Sequence, residues 1–435
     1  MDIKIVIGAQ YGDEGKGRTV DYFTRECKNG DMAVVLTNGG AQRGHTVVKG
    51  NKRHIFHHFG SGTMNGADTI ISEIFQVNPM VFSTEWDELR ELGFTPNVYV
   101  DENCFVATPW DALINQCWES ALGDGRFGSC GLGVYEAIIR SKESKYAITV
   151  KEIQKANEEN NWIPIAEKLD IICMDYVPAR LHEVLDGRSI PEQFVGNFEK
   201  DYVLSFLSDL AFFIKHITVK KFTKTELSAK YKRLVFENAQ GLAISQKYYE
   251  YGENTTPTYT GLGSAVEVMD SLGVCSNGDY DVELCYVTRW YTTRHGAGIL
   301  PGETDVNNLS EKIVDDTNIH NEWQGSIRYA PLDVDRLIGR IMRDLYDFEG
   351  LGNKSFHLTF AINGIDQLSQ HRRIPYILDG RNGETGVLAL SEIIWRSIVP
   401  FTNLAVTCSG ADFYWPNFYY GHSDDADDTR KCDIY

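Results

Sequence analysis

A short apolar run followed at once by a glycine-rich loop, near the start of the chain, constrains the fold more than any other feature. Residues 3–7 (IKIVI) have the length and apolar content of a buried strand. They lead into residues 8–18 (GAQYGDEGKGR) and then into residues 18–25, which have helical character. A strand, a glycine loop and a helix in succession are typical of an α/β protein with a largely parallel sheet.

The alternation of strands and amphipathic segments continues along the chain. Strands are predicted at residues 3–7, 33–36, 69–71, 234–236, 284–288, 357–361 and 404–407. Helices are predicted at residues 203–216, 264–271, 334–348 and 388–399. No internal repeat or Pro/Ser-rich linker divides the chain. We therefore expect a single large domain over residues 1–435, with residues 424–435 as an acidic and poorly ordered tail.

Composition excludes several classes of function. The net charge of −19 argues against a nucleic-acid-binding surface, which would be basic. The nine cysteines contain no CxxC pair and have no regular spacing, so they fit reduced thiols better than a disulfide framework. No apolar stretch approaches about 18 residues, and none near Met1 resembles a signal peptide. We expect a cytoplasmic protein with neither nucleic acid nor membrane as a partner.

The glycines of the first loop fit the binding of an anion. Gly12, Gly15 and Gly17 let backbone N–H groups approach an anion closely, and the N-terminus of the following helix adds its positive end. Lys16 supplies a point charge for phosphates. The spacing is not that of a Walker A motif, because Gln10 replaces its first glycine and Gly17 replaces the Ser/Thr that would hold magnesium.

An acid inside this loop changes its interpretation. A phosphate cradle normally repels a carboxylate, so Asp13 indicates a metal ligand or a base that works beside a phosphate. Glu14 also has a plainer interpretation, as a residue that caps or solvates the turn. The alternative for the whole loop is a strand-to-helix turn with an exposed acidic pair.

A second glycine-rich loop, residues 39–46 (GGAQRGHT), follows a second apolar run. The two loops together resemble the adenylosuccinate synthetase family, whose members carry GDEGKG near the N-terminus and GGxNAGHT shortly after it. The resemblance continues in order along most of the chain through FENAQG (236–241), NTT (254–256), YTTRHGAG (291–298) and SGAD (409–412). Five ordered matches make a chance likeness a poor explanation.

The resemblance implies a fold, an assembly and a reaction. The fold is a large, mostly parallel twisted sheet flanked by helices, and the assembly is a homodimer. The enzyme is a purine-biosynthesis ligase that condenses a 6-oxopurine 5′-monophosphate (IMP) with L-aspartate and consumes a nucleoside triphosphate. The product, adenylosuccinate, forms through a 6-phosphoryl intermediate. This chemistry needs a base near N1, an acid or cation near the migrating phosphoryl group, and Mg²⁺.

The resemblance also assigns roles to individual residues. Asp13 is the base and a magnesium ligand, His45 is the acid that steadies O6 and the leaving phosphate, and Gly44 offers its carbonyl to the same ion. The expected nucleotide-binding residues are Gly12, Glu14, Gly15, Lys16, Gly17, Thr46, Ser409 and Gly410. The expected substrate-binding residues are Gln42, Ser129, Arg140, Gln240, Thr255, Arg294 and Arg328.

The predicted site for the substrate 5′-phosphate matches the family less closely. Residues 128–136 (GSCGLGVYE) resemble the family's phosphate loop but are one residue short, with Ser129 as the hydroxyl. Tyr251 stands where the family has a threonine for the same phosphate. The family also reaches an arginine across its dimer interface, and Arg140 is one position off that register. The alternative for Arg140 is an ordinary surface arginine on a helix.

The guanine-reading element of the family, Thr-Lys-x-Asp at the end of a strand, is missing. Phe360 stands for the lysine and Ile362 for the aspartate. Isoleucine cannot accept from guanine N1 and N2, and each unpaired donor costs roughly 1–3 kcal/mol. This departure argues against GTP as the phosphoryl donor and makes an adenine nucleotide the alternative. Asn363 or Asp366 would read guanine only if the loop were shifted.

Two further departures concern the other substrates. The amino-acid loop, normally Thr-Thr-Gly followed by several arginines, reads NEWQGSIRY at residues 321–329 and keeps only Arg328. A dicarboxylic amino acid usually needs two cationic partners. In the second loop, Gln42 and Arg43 stand where the family has Asn and Ala.

Three alternatives therefore remain beside the ligase that uses IMP. The first resembles the viral branch of the family, which converts (deoxy)GMP and aspartate into the 2-amino analogue with ATP. The missing guanine reader favours it, whereas the retained Asp13 argues against it. The second is a sister ligase with another amine. The third is a non-catalytic nucleotide sensor, which has no need for both Asp13 and His45.

Overall fold

Strand β1 (Asp2–Gly8) lies in the middle of the main sheet of the computed structural model. Its Ile3, Ile5 and Ile7 side chains pack into one hydrophobic layer, and Val6 packs into the layer on the opposite face. Successive side chains of a strand point to opposite faces, so this sheet is covered on both. The structure describes the whole chain except residues 29, 199–201, 247–253, 275–280, 316–317, 319, 321–322, 347–354, 369–372, 410–411, 422, 424 and 434–435.

The described residues form sixteen strands. In chain order they are β1 (Asp2–Gly8), β2 (Met32–Leu36), β3 (His45–Lys49), β4 (Lys52–Phe56), β5 (Asp68–Ile71), β6 (Val98–Val100), β7 (Thr218–Val219), β8 (Arg233–Gly241), β9 (Asp281–Arg289), β10 (Tyr291–Arg294), β11 (Arg328–Asp333), β12 (Ser355–Asn363), β13 (Ile374–Leu378), β14 (Arg381–Thr385), β15 (Asp412–Gly421) and β16 (Thr429–Asp433).

Twelve α-helices cover the sheets within the described part of the chain. They are α1 (Lys16–Thr24), α2 (Pro79–Glu91), α3 (Pro109–Leu122), α4 (Val134–Ser141), α5 (Val150–Glu158), α6 (Ile163–Ile171), α7 (Val177–Leu185), α8 (Tyr202–Lys215), α9 (Lys224–Lys230), α10 (Leu262–Ser271), α11 (Val334–Tyr346) and α12 (Val387–Ser409). None of these described helices combines the length and the apolar content that crossing a membrane requires.

The main sheet has ten strands in the order β16-β15-β12-β9-β1-β8-β2-β5-β6-β7. Every neighbouring pair is parallel except β15 with β16. The carboxyl ends of β12, β9, β1 and β8 therefore lie side by side at one edge. Ligands of open α/β sheets bind in the crevice beyond such ends. The predicted fold class, a large and mostly parallel sheet flanked by helices, is confirmed.

Six of the seven predicted strands and all four predicted helices are confirmed, but residues 404–407 are not a strand. They belong to helix α12, which continues to Ser409. The prediction relied on the composition of four residues, three of them apolar. A run this short does not separate a strand from a buried turn of helix by its periodicity.

Residues 425–433 do not form the poorly ordered acidic tail that the sequence predicts. Asp425 accepts from the backbone N–H of Gly50 at 3.1 Å, and its carbonyl accepts from Arg18 Nη2 at 2.9 Å. Strand β16 then pairs with β15 at the edge of the main sheet. The Asp425 carboxylate finds an N–H donor and the Asp425 carbonyl a guanidinium donor, so charge alone does not keep this segment in solvent. Residues 424, 434 and 435 lie outside the described part.

Candidate active site

The interior of the first loop is occupied by its own Glu14. The Glu14 carboxylate accepts from the backbone N–H groups of Gln10 at 2.9 Å and Gly12 at 2.8 Å. Lys16 Nζ lies 3.3 Å from the same carboxylate and donates to the Gly12 carbonyl at 2.6 Å. Both side chains are buried. Glu14 thus caps the loop and holds the Lys16 ammonium beside it.

Asp13, the predicted base, lies on the other side of this loop. Its side chain is 26% exposed, and its Oδ2 lies 3.9 Å from His295 Nε2. The Asp13 carbonyl accepts from Arg289 Nε at 2.7 Å. Burial raises the pKa of the Asp13 carboxyl above its usual value, and the nearby His295 opposes this rise. A carboxylate with a raised pKa is a stronger general base at neutral pH.

Two glycines allow other elements to approach the loop. Gly15 has a φ of +90°, and a Cβ at this position would lie 2.8 Å from Asn363 Nδ2, at the end of β12. A Cβ on Gly17 would lie 2.9 Å from the Cβ of His45. The absence of side chains at these two positions therefore brings the first loop against both β12 and the second loop.

His45, at the start of β3 in the two-stranded β3–β4 sheet, is held by an acid from the main sheet. Its Nδ1 lies 2.6 Å from Glu237 Oε1, at the carboxyl-terminal half of β8. Glu237 Oε2 accepts from Arg43 Nη2 at 2.9 Å and from the backbone N–H of Ser61 at 3.1 Å. The Ser61 hydroxyl also bonds to Glu237 Oε1. These side chains are buried.

The charges of this cluster fix its protonation. Burial alone would raise the pKa of Glu237, but Arg43 and His45 reverse that effect and hold it at about 2. Burial lowers the pKa of His45 to about 3, with a further contribution from Arg43. Glu237 is therefore ionised at pH 7 and can only accept hydrogen bonds. His45 is a neutral imidazole whose Nδ1–H is donated to Glu237.

Two polar side chains of the second loop have no protein partner among the described residues. Both the amide nitrogen and the amide oxygen of Gln42 are buried and unbonded, and so is the Thr46 hydroxyl. Gln42 lies over the loop's own Gly39 and Gly40, where added Cβ atoms would lie 3.2 Å from its amide atoms. Buried polar atoms normally have partners. These groups are consequently suited to contact a bound ligand or ordered water. Gly44, the predicted carbonyl donor, is exposed beside them.

Gln240 lies at the junction of β8 and the first loop. It adopts a left-handed backbone conformation with a φ of +65°, and a Cβ on Gly12 would lie 3.4 Å from its Cα. The backbone N–H of Ala239 donates to Asn38 Oδ1 at 2.9 Å, which ties this strand end to the second loop. The structure therefore brings Gln240 together with Gly12 at the carboxyl edge of the sheet.

The predicted 5′-phosphate loop is bonded to helix α3. Glu119 accepts from the backbone N–H groups of Gly128 at 3.2 Å and Ser129 at 2.9 Å. The Ser129 hydroxyl bonds to Asn115 Oδ1 at 3.0 Å. Ser129 thus has its hydroxyl proton committed within the subunit.

Arg140 is neither a surface arginine nor a group directed at another subunit. It is fully buried, and its Nε and Nη2 donate to the Asp111 carboxylate at 2.9 Å each. Its remaining donors bond to the carbonyls of Tyr146 at 2.6 Å and Val106 at 2.7 Å. The structure therefore does not support the prediction that Arg140 completes a partner's site, because four of the five guanidinium N–H groups bond inside its own subunit.

Two other predicted arginines brace one loop. Arg294 and Arg328 are opposite each other in the antiparallel pair β10–β11. Arg294 Nη1 donates to the Ile299 carbonyl at 2.7 Å, and Arg328 Nη2 donates to the carbonyls of Gly296 and Gly298 at 2.7 and 2.9 Å. Arg294 Nη2 also lies 3.3 Å from the Asn254 carbonyl, next to the half-buried Thr255.

The residues that replace the guanine reader do not offer a substitute for it. Phe360 and Ile362 are fully buried in the core. Asn363 donates to the Glu14 carbonyl at 2.8 Å and accepts from Arg18 Nη1 at 3.3 Å, so its amide holds the first loop. Asp366 lies exposed on the short turn beyond it.

The remaining predicted nucleotide contacts lie near the C-terminal end of the chain. Ser409 is the last residue of α12, the helix that precedes β15. Gly410 lies outside the described residues.

Sequence reasoning missed three polar residues that organise the site. Glu237 follows an apolar run on a buried strand, and an acid in such a place was the signal to find it. Arg289, at the end of β9, supports the Asp13 backbone. Glu119 had no signal beyond its helical spacing of four from Asn115.

The comparison with known proteins agrees with this geometry. The sequence matches the family model described as adenylosuccinate synthetase over residues 5–324. The adenylosuccinate synthetase of Alkaliphilus metalliredigens (strain QYMF) is 27% identical over 371 residues, covering 84% of this chain and 79% of that protein. The enzyme of Myxococcus xanthus (strain DK1622) is 26% identical over 384 residues, covering 87% and 81%.

Solved structures share the fold. The fully ligated adenylosuccinate synthetase of Plasmodium falciparum superimposes with a TM-score of 0.68 at 15% identity, covering 99% of both chains. The succinoaminodeoxyadenylate synthetase of cyanophage S-2L, bound to dGMP and to dATP as an energy donor, superimposes with a TM-score of 0.56 at 13% identity, covering 99% of this chain and 95% of that one. By its family match, this chain belongs to the adenylosuccinate synthetase family and is a ligase that forms a carbon–nitrogen bond.

Proposed function

We propose that this ligase condenses IMP with L-aspartate at the expense of a nucleoside triphosphate and gives adenylosuccinate, the nucleoside diphosphate and phosphate. The observation that carries the proposal is the meeting of two loops at the carboxyl edge of the sheet. One loop carries Asp13, a carboxylate of raised pKa, and the other carries His45. A base and an acid on adjoining loops are what activation of a 6-oxopurine requires.

Asp13 begins the reaction. Its carboxylate takes the proton from N1 of the purine, and the electrons move to O6. O6 then attacks the γ-phosphorus, and the bond from that phosphorus to the diphosphate oxygen breaks. The aspartate amine next attacks C6 and gives up one N–H proton, the C6–O6 bond breaks, and the original O6 leaves in phosphate, which takes up that proton. Asp13 is the proton acceptor in the first step.

His45 stabilises the charge that develops at O6. In the unliganded site Glu237 accepts its Nδ1–H, which leaves Nε2 as the ring atom for the substrate. When the phosphoryl group arrives, its negative charge favours a proton on Nε2. The imidazolium then donates to O6 and afterwards to the leaving phosphate. Glu237 supports this role because its ionised carboxylate holds the ring in one orientation.

The donors present fit Mg²⁺. The Asp13 carboxylate and the carbonyl of Gly44, an exposed residue, are hard oxygen ligands, the kind that Mg²⁺ prefers. Magnesium commonly takes one or two protein oxygens and completes its shell with phosphates and water. When bound, it would neutralise negative charge on the transferred phosphoryl group.

We expect ATP or dATP to support turnover at least as well as GTP. Ile362 cannot accept from guanine, and Asn363 is engaged with the first loop. Initial rates with each triphosphate, at matched concentrations, measure the preference. A preference of the wild-type protein for GTP of tenfold or more, about 1.4 kcal/mol, would contradict this part of the proposal.

A second candidate acceptor is (deoxy)GMP, with ATP as donor and a 2-amino product. The lost guanine reader favours it, because the cyanophage protein of the same fold is described with dGMP and dATP. The unpartnered Gln42 amide offers both a donor and an acceptor to either purine. Assays with IMP, GMP and dGMP, with product masses as the readout, separate the two acceptors.

The amine is proposed to be aspartate. Arg328 already bonds to Gly296, Gly298 and Glu303, so a sister ligase with another amine is the alternative. Supplying a mixture of amino acids and identifying the product by mass decides between them. A non-catalytic sensor would give no product with any mixture.

A homodimer and a cytoplasmic location are further proposals that rest on the family. Arg140, Arg294 and Arg328 all have partners within the subunit, so none of these three supports a shared site.

A further inference from the structure

Arg43 is a charged side chain inside the second loop, where the family has alanine. It is among the largest fully buried side chains of the described structure and is 1% exposed. Burying a guanidinium is costly unless an anion and hydrogen-bond acceptors compensate it. A buried guanidinium therefore needs an anionic partner, and the structure contains one.

That partner is the acid that holds His45. Arg43 Nη2 lies 2.9 Å from Glu237 Oε2 and 3.3 Å from the Phe59 carbonyl. Glu237 Oε1, the other oxygen, faces His45 Nδ1 at 2.6 Å. One oxygen of the Glu237 carboxylate therefore bonds to the arginine and the other bonds to the histidine. Ser61 bonds to both oxygens and completes the set.

Because each oxygen has its own partner, the rotation of the Glu237 carboxylate is fixed. A carboxylate with a single strong partner can turn about its side-chain torsions, whereas a charge-assisted bond to each oxygen leaves one arrangement. Since Glu237 can only accept, the ring of His45 must present Nδ1–H to it and direct Nε2 elsewhere. Lys16 also acts on the charge of His45, and its ammonium is paired with Glu14.

We propose that Arg43 is a positioning residue of the active site: by holding one oxygen of Glu237, it sets the tautomer and orientation of His45. This inference rests on the proposed function in that His45 is the acid of the ligase. Arg43 itself does not touch the reacting atoms. Its effect reaches the substrate only through Glu237 and His45.

The test compares Arg43→Ala, Arg43→Lys and Glu237→Gln, with Arg53→Ala, a change of an exposed arginine on β4, as the control. Three kinds of measurement are made on each folded variant. They are kcat and KM for every substrate, the NMR resonance of the His45 Nδ1–H proton, and the thermal unfolding temperature. The proton resonance is assigned by its loss in His45→Gln.

We expect Arg43→Ala to lower kcat about tenfold or more while each KM changes less than about threefold. The His45 Nδ1–H resonance should shift upfield or disappear, and Arg43→Lys should restore part of kcat. In a Glu237→Gln background, Arg43→Ala should cause no further loss, because both act through one carboxylate. Arg53→Ala should match the wild type.

An unchanged kcat in a folded Arg43→Ala protein would overturn the proposal, as would an unchanged His45 resonance or fully additive losses in the double variant. If Arg43→Ala does not fold, Arg43→Lys and Glu237→Gln carry the same comparison. The NMR readout needs no substrate. If the resonance shifts in a protein without ligase activity, the result would support the positioning role of Arg43 and reject the proposed reaction.

Discussion

Asp13→Asn is expected to lower turnover at least about a hundredfold, the scale of lost general acid–base catalysis. Asparagine keeps the size of the side chain but removes both the basicity and the negative charge that would face Mg²⁺. Asp13→Ala should be equally damaging. Because the Asp13 side chain is partly exposed and its backbone carbonyl is what Arg289 binds, neither substitution should unfold the protein.

The measurement is kcat/KM with saturating Mg²⁺, alongside thermal unfolding to show that the variants are folded. Asp87→Asn, an exposed acid on α2, is the control and should behave as the wild type. Near-normal turnover by folded Asp13→Asn would remove Asp13 from the role of base. It would also favour the viral-type alternative, in which this acid is not needed.

Arg140→Ala is expected to reduce the free energy of unfolding by about 3–5 kcal/mol. The substitution leaves the Asp111 carboxylate buried without its cation and leaves the carbonyls of Tyr146 and Val106 without a donor. Urea unfolding measures the loss, and Lys142→Ala, an exposed change on the same segment, should alter stability little.

The same variant tests the shared-site idea. Mixing Arg140→Ala with Asp13→Ala should regenerate no activity, because Arg140 bonds entirely within its own subunit. A stable Arg140→Ala protein whose activity is rescued by this mixing would show that the arginine leaves its buried position and serves a neighbour.

The framework of the fold was predictable because its signals are local. The buried run in β1 and the glycine loop after it determine a strand, a tight turn and a helix, whatever lies elsewhere in the chain. The strand predicted at residues 404–407 was wrong because its local signal is too short. A four-residue segment of this kind fits a strand or a helix equally well, and only its continuity with the rest of α12 decides between the two.

The pairings inside the site were not predictable, because they join distant parts of the sequence. His45 and Glu237 are 192 positions apart, and Arg140 meets Asp111 only after α3 and α4 have packed. Composition shows which residues are charged but not which charges neutralise each other. Glu14 illustrates the point, because its place in the sequence fits either a nucleotide contact or a cap. In the structure its carboxylate caps the loop by accepting from the N–H groups of Gln10 and Gly12.

The central claim is that O6 of the purine is phosphorylated and then displaced by the amine. It is tested most directly with IMP that carries oxygen-18 at position 6, incubated with ATP, aspartate and Mg²⁺. Mass spectrometry then follows the label in the products. The proposed reaction predicts that the label appears in inorganic phosphate in equal amount to the adenylosuccinate formed. Product formation with unlabelled phosphate would contradict the 6-phosphoryl intermediate and the proposed roles of Asp13 and His45.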